Sequence, residues 1–243
     1  MKKYFVLLWM LLPVPVLVFH YAKGRELMEM DVARDCVRRG EAAEKAGDLV
    51  AAEKFYREAA THVTADRPEL KMRVGLAIIR TEARTGGVVA ALDDAERMLA
   101  DEAFAAMPSA FRAEAVETLS RIHYHAAWVM RLEGANRELW MEESEQARQG
   151  YRALVETGLE GASESRIRSA KEDLESAVAL QRLSYGALVA RPLPAEGKCM
   201  ANCNLSEKMN ERRKKRGKKG AGKPGGQPSP GAGAQRYSPS GGS

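Results

Sequence analysis

The chain has 243 residues, a charged fraction of 29%, aromatics at 6% and only three cysteines. So few cysteines exclude a disulfide-rich scaffold, and abundant Ala, Leu, Glu and Arg with few aromatic or β-branched runs point to an all-α fold. The net charge of +5 conceals a split: residues 191–243 carry 12 Lys/Arg against 3 Asp/Glu, which leaves −4 for the 190 residues before them. A tail this basic seeks clustered negative charge on lipid, nucleic acid or an acidic protein.

At the amino terminus, Lys2 and Lys3 precede sixteen uncharged residues at 4–19, the order of an export signal. Counted to Ala22 the stretch reaches 19 residues, close to the roughly 20 that span a bilayer. Tyr4, Trp9 and Tyr21 place interface-seeking rings near its ends. No clean small-x-small cleavage site follows, since His20-Tyr21-Ala22 offers a large residue where a small one is wanted. The reading is a signal anchor over 1–25, single-pass in the inner membrane with the body outside the cytoplasm. The alternative is a cleaved signal and a secreted or periplasmic body.

The middle, 26–190, reads as one helical domain punctuated by Gly47-Asp48, Asp66-Arg67-Pro68, Gly86-Gly87, Pro108, Gly134 and the stretch 158–161. Apolar residues three and four apart predict helices near 26–46, 49–64, 68–85, 88–100, 108–133, 136–157 and 163–190. Short connections make neighbouring helices antiparallel. Trp128, Leu132, Leu139 and Trp140 are expected to meet across the turn at Gly134 as packing residues.

The first hairpin carries a recognisable code. Gly40, Ala43, Gly47, Ala52, Tyr56 and Ala59 fall at offsets 0, 3, 7, 12, 16 and 19 within a 34-residue window from Ala33 to Asp66. This resembles the tetratricopeptide repeat. Gly86, Ala91, Ala95 and Met98 echo the spacing 39 residues later, and Ala147, Tyr151 and Leu154 echo part of it again. The first repeat fits well and the others are degenerate. Small residues at Gly40 and Ala52 allow close helix approach, Gly47 supplies a permissive turn, and Tyr56 fills the space between the hairpin and its neighbour. The resemblance implies antiparallel hairpins stacked as a short solenoid, whose concave face holds a peptide or partner helix without chemistry. The layout of anchor, short repeat body and polar tail is also similar to that of bacterial repeat proteins encoded beside von Willebrand A-domain membrane proteins.

Candidate chemistry is sparse. His123-Tyr124-His125 cannot place both imidazoles on one metal from a single helix face. Cys199 and Cys203 form C-x3-C without a second pair, so a local disulfide in an oxidising compartment is the functional reading. Residues 217–223 imitate the start of a phosphate-binding loop, but Pro224 stands where a Ser or Thr belongs. Asp93-Asp94 and Glu142-Glu143 read as solvated helix faces. No catalytic residue, cofactor or metal is expected.

Residues 191–243 read as a disordered basic tail, with Gly or Pro at 13 of the 27 residues from 217 to 243. Arg212, Arg213, Lys214, Lys215, Arg216, Lys218 and Lys219 are its anion-binding candidates. Tyr237 is the only aromatic in this segment, so sequence-specific nucleic-acid reading is not expected. The sequence therefore points to a membrane-anchored adaptor that binds a protein through its body and polyanions, anionic lipid among them, through its tail. The alternative is a nucleic-acid-associated protein that binds through the tail.

Overall fold

A computed structural model describes residues 24–64, 66–158, 164–191 and 204–221. The described residues are all-α and contain no strand. The helices are α1 (Arg25–Lys45), α2 (Leu49–His62), α3 (Pro68–Thr85), α4 (Val88–Leu99), α5 (Glu102–Ala105), α6 (Ser109–Leu132), α7 (Arg137–Ala153), α8 (Glu164–Arg182), α9 (Tyr185–Val189) and α10 (Leu205–Ala221). A π turn, Leu154–Gly158, extends α7.

The boundaries have local causes. Gly47, Gly86 and Gly134 adopt φ of +81°, +104° and +72°, a left-handed conformation that costs a glycine little and ends α1, α3 and α6. The Asp48 carboxylate accepts from Ala51 N at 3.0 Å and caps α2. Pro68 opens α3, where its missing N–H has no intrahelical partner to lose. Sequence periodicity missed α5, a single turn capped by Asp101 Oδ1 accepting from Ala103 N. It also ran the last body helix unbroken to 190. The chain instead stops at Arg182 and restarts at α9, where Ser184 Oγ accepts from Ala187 N.

From α1 to α4, and from α6 to α8, each helix packs chiefly on its neighbours in sequence, and α4 packs on α6. Stacks of this kind bury their apolar faces against adjacent layers. Small clusters hold the first layers: Cys36, Ala59 and Val74, then Ala52, Tyr56 and Ala77. The largest cluster joins Ile79, Leu92, Ala126, Met130 and Trp140 with Leu205 and Met209 of α10. Trp128 packs elsewhere, with Ala127, Leu180 and Leu188, and Leu132 lies against that group. The four residues expected to meet across Gly134 are thus divided between two cores, because α6 is buried on several sides and Trp128 faces α8 and α9. Arg131 ties these cores together. Its guanidinium donates to the carbonyls of Leu180 and Leu183 and lies 4.4 Å from the Trp140 ring centroid.

The sequence assigned everything after residue 191 to an unstructured tail; α10 corrects this for 205–221. Its spacing supplies the reason. Leu205, Met209 and Arg212 share one helix face and are 4%, 2% and 5% exposed, so the segment finds on the body the burial it lacks alone. The expected anchor lies outside the described residues apart from Gly24 and Arg25, and Cys199, Cys203 and the Gly/Pro-rich residues from 222 onward are also outside them. Among the described residues, no helix is long and apolar enough to cross a membrane.

Candidate functional site: a groove across three helices

The groove begins with the close approach of α1 to α2. A Cβ on Gly40 would sit 2.6 Å from Cε1 of Tyr56 and 2.8 Å from its Cδ1, so the missing side chain is the space the ring occupies. Ala52 and Ala59 are fully buried on either side of Tyr56, and Ala43 packs against the same cluster. The Tyr56 hydroxyl donates to Glu44 Oε2 at 3.1 Å. Arg80 grips the same carboxylate with a fork, Nε to Oε1 at 3.0 Å and Nη2 to Oε2 at 2.9 Å. Arg84 Nη1 adds a bond to Oε1 at 3.2 Å, and Arg80 Nη1 reaches Glu114 Oε1 of α6 at 3.4 Å. One carboxylate from α1 therefore binds a tyrosine of α2 and two arginines of α3, and Arg80 continues the chain to α6.

The electrostatics follow from the geometry. Burial pushes the Glu44 carboxyl up, but the bonds and charge of Arg80, with Tyr56 and Arg84, pull it below its ordinary value. Burial and the Glu44 charge raise Tyr56 to about 12. Burial works against the Arg80 cation, and Glu44 more than compensates.

Beside this network lies a groove of about 210 Å³ lined from α1, α3 and α6, with Tyr56 of α2 contributing to its wall. Leu76 and Phe111 form its floor, each 3% exposed, and Val37 and Leu70 are half-buried. Glu41 and Arg73 are exposed at the rim, and the Arg73 guanidinium lies 5.6 Å from the Phe111 ring centroid. The lining contains no Ser, Cys, His or Lys. An apolar floor under a rim of both charges can seat a side chain and orient a polypeptide. Among the described residues, no group of three or more His, Cys, Asp or Glu is arranged to hold a metal ion. Cys36 is a buried free thiol, and burial raises its pKa.

The basic candidates divide. Arg212 Nε donates to Asp93 Oδ1 at 2.7 Å. Its Nη2 lies 2.9 Å from Glu96 Oε1, close enough for an ion pair though not aligned for a hydrogen bond. Arg216 pairs with Glu96, and Arg213 stands 3.5 Å from Glu142. Lys214 and Lys215 face solvent, and Lys218 and Lys219 continue the helix. Arg212, Arg213 and Arg216, expected as anion binders, are therefore paired with the body's own carboxylates.

Glu143 overturns the reading of Glu142-Glu143 as a solvated pair. It belongs to the buried stripe of α7 with Leu139, Trp140, Ser144, Ala147 and Tyr151, and is 6% exposed. His123 Nδ1 of α6, itself 5% exposed, lies 2.5 Å from Glu143 Oε2. His125 is buried with no partner for Nδ1, and burial lowers its pKa. Sequence reasoning singled out neither Glu44 nor Arg80. The available signal was Arg80 itself, a guanidinium that directly follows the apolar run with Val74, Leu76, Ala77 and Ile79 and stands between the buried Ile79 and Thr81, because a cation so placed demands a partner.

No protein family, curated protein or solved structure matches this chain.

Proposed function

We propose that this protein is a non-enzymatic, membrane-anchored scaffold of the bacterial envelope. Its body is a degenerate tetratricopeptide-like solenoid that binds a protein partner. Residues 1–25 anchor it in the inner membrane with the body outside the cytoplasm, and the basic tail adds electrostatic attachment to anions there. The observation that carries the reading is the groove. The leading helices of successive hairpins, α1, α3 and α6, line it together, and the Tyr56–Glu44–Arg80–Glu114 network fixes their spacing. A partner segment in extended or helical form would lay an apolar side chain against Leu70 and Phe111 and meet Arg73 and Glu41 at the rim.

A photo-crosslinking residue at Leu70, compared with one at exposed Lys54 on α2, tests the groove. The reading expects a discrete adduct from position 70 that Arg73→Glu abolishes. Equal adducts from both positions, or none from position 70, refute it. A second reading, nucleic-acid binding through the tail, draws on the exposed Lys208, Lys214 and Lys215 of α10 and requires a cytoplasmic tail. Reporters fused after Val189, one active only outside the cytoplasm and one only inside, separate the two readings.

A further inference from the structure

We infer that α10 is a membrane-surface helix held against the body by a carboxylate latch, and that anionic lipid headgroups compete with Asp93, Glu96 and Glu133 for it. The inference rests on the reading of the tail as an anion-binding segment and needs nothing from the groove. The helix carries eight Lys/Arg against two Glu. Its docked face is short in apolar contacts, with Leu205 and Met209 as its buried apolar side chains. Carboxylates do the remaining work. Glu133, at the end of α6, accepts from the first free amides of α10, Leu205 N at 3.1 Å and Ser206 N at 2.7 Å, which suits the positive end of a helix. Further along, Asp93 and Glu96 hold Arg212 and Arg216.

These contacts are exchangeable. An open cleft of about 860 Å³ runs between α4 and α10, bordered by Val89, Asp93, Glu96, Arg212 and Lys215, so solvent and ions reach Asp93, Glu96 and the exposed Arg216, while the Arg212 guanidinium stays buried until the helix lifts. Phosphate headgroups offer the same guanidinium partners that Asp93 and Glu96 offer. Lipid suits the released helix better than nucleic acid does. Leaving the body exposes Leu205 and Met209, and a bilayer interface supplies an apolar place for them beside the anionic charge, whereas a phosphate backbone supplies only charge. The cations of α10 thus alternate between the body and the membrane, and membrane engagement uncovers the acidic face of α4.

The test uses the full chain reconstituted in zwitterionic liposomes and in liposomes containing phosphatidylglycerol. Carbodiimide labelling reads the carboxylates by mass spectrometry, and amine acylation reads Lys214 and Lys215. Phosphatidylglycerol is expected to shield the two lysines and to raise labelling of Asp93, Glu96 and Glu133 severalfold. Glu172 and Glu175 on α8 are exposed and should label equally in both lipids. The double variant Asp93→Asn/Glu96→Gln should reach half-shielding of the lysines at least about threefold earlier in phosphatidylglycerol than the charge-matched Glu172→Gln/Glu175→Gln, because less of the helix is sequestered. Shielded lysines with unchanged carboxylate labelling overturn the latch and leave the tail reading standing. Lysines that phosphatidylglycerol never shields overturn both.

Discussion

Replacing Gly40 with Ala probes the contact at the centre of the first hairpin. Within α1 the substitution gains helix propensity, about 1 kcal/mol in favour of folding. Against it stands the Tyr56 ring, whose Cε1, Cδ1 and Cζ would lie 2.6, 2.8 and 2.9 Å from the new methyl carbon. The ring is 1% exposed and its hydroxyl is fixed on Glu44, so it cannot swing away freely. Overpacking of this kind costs about 1–3 kcal/mol. The net effect of Gly40→Ala is a loss of about 1 kcal/mol, or roughly 2–4 °C in Tm for a body of this size. In a Tyr56→Ala background the obstacle is gone and the sign reverses: Gly40→Ala then stabilises by about 1 kcal/mol. Tyr56→Ala alone costs about 3–5 kcal/mol. Four melting curves followed by helical circular dichroism close the cycle and isolate the coupling. If Gly40→Ala changes Tm by the same amount and sign in both backgrounds, the close approach of α1 to Tyr56 does not exist in solution.

Three further predictions follow the same physics. A Cβ on Gly150 would lie 2.0 Å from Ser120 Oγ, so Gly150→Ala should destabilise by about 1–3 kcal/mol and Ser120→Ala should restore most of the loss, both read by urea denaturation. Glu143→Ala leaves a buried His123 imidazole without its partner and should cost about 1–3 kcal/mol; an unchanged midpoint would show that the pair contributes nothing. His125 titrates below its ordinary 6.5 in the folded chain because it is buried, so the unfolded chain takes up its proton first as pH falls. Stability from its neutral form is complete above 6.5 and declines as the pH drops through the folded value. Tm measured from neutral to mildly acidic pH should fall, and His125→Leu should make the fall shallower; an identical slope would remove His125 from the effect.

The helical framework was legible because its stops are chemical. A glycine that must take positive φ at 47, 86 and 134, and a proline at 68, announce themselves without any tertiary information. Three things were hidden. The break before Ser184 is enforced by docking of Leu188 against Trp128, a contact between distant residues. α10 was masked by composition: its lysines and glycines read as an unfolded tail, while the spacing of Leu205, Met209 and Arg212 becomes meaningful only against Asp93, Glu96 and the cores of α4, α6 and α7. The groove network was hidden because Glu44 and Glu114, the partners of Arg80, each look like ordinary surface charges, and only the stacking of three hairpins brings the three into one line.

The pairing of Arg212 with Asp93 spans 119 residues, and that separation has a consequence for biogenesis. At about 5–20 residues per second, ribosomal elongation leaves the carboxylates of α4 and the core around Leu92 without the closing helix for roughly 6–24 s. The early hairpins can settle on their local contacts within that interval. The central core stays open on one side, exposed to chaperones or to neighbouring nascent chains, until α10 emerges.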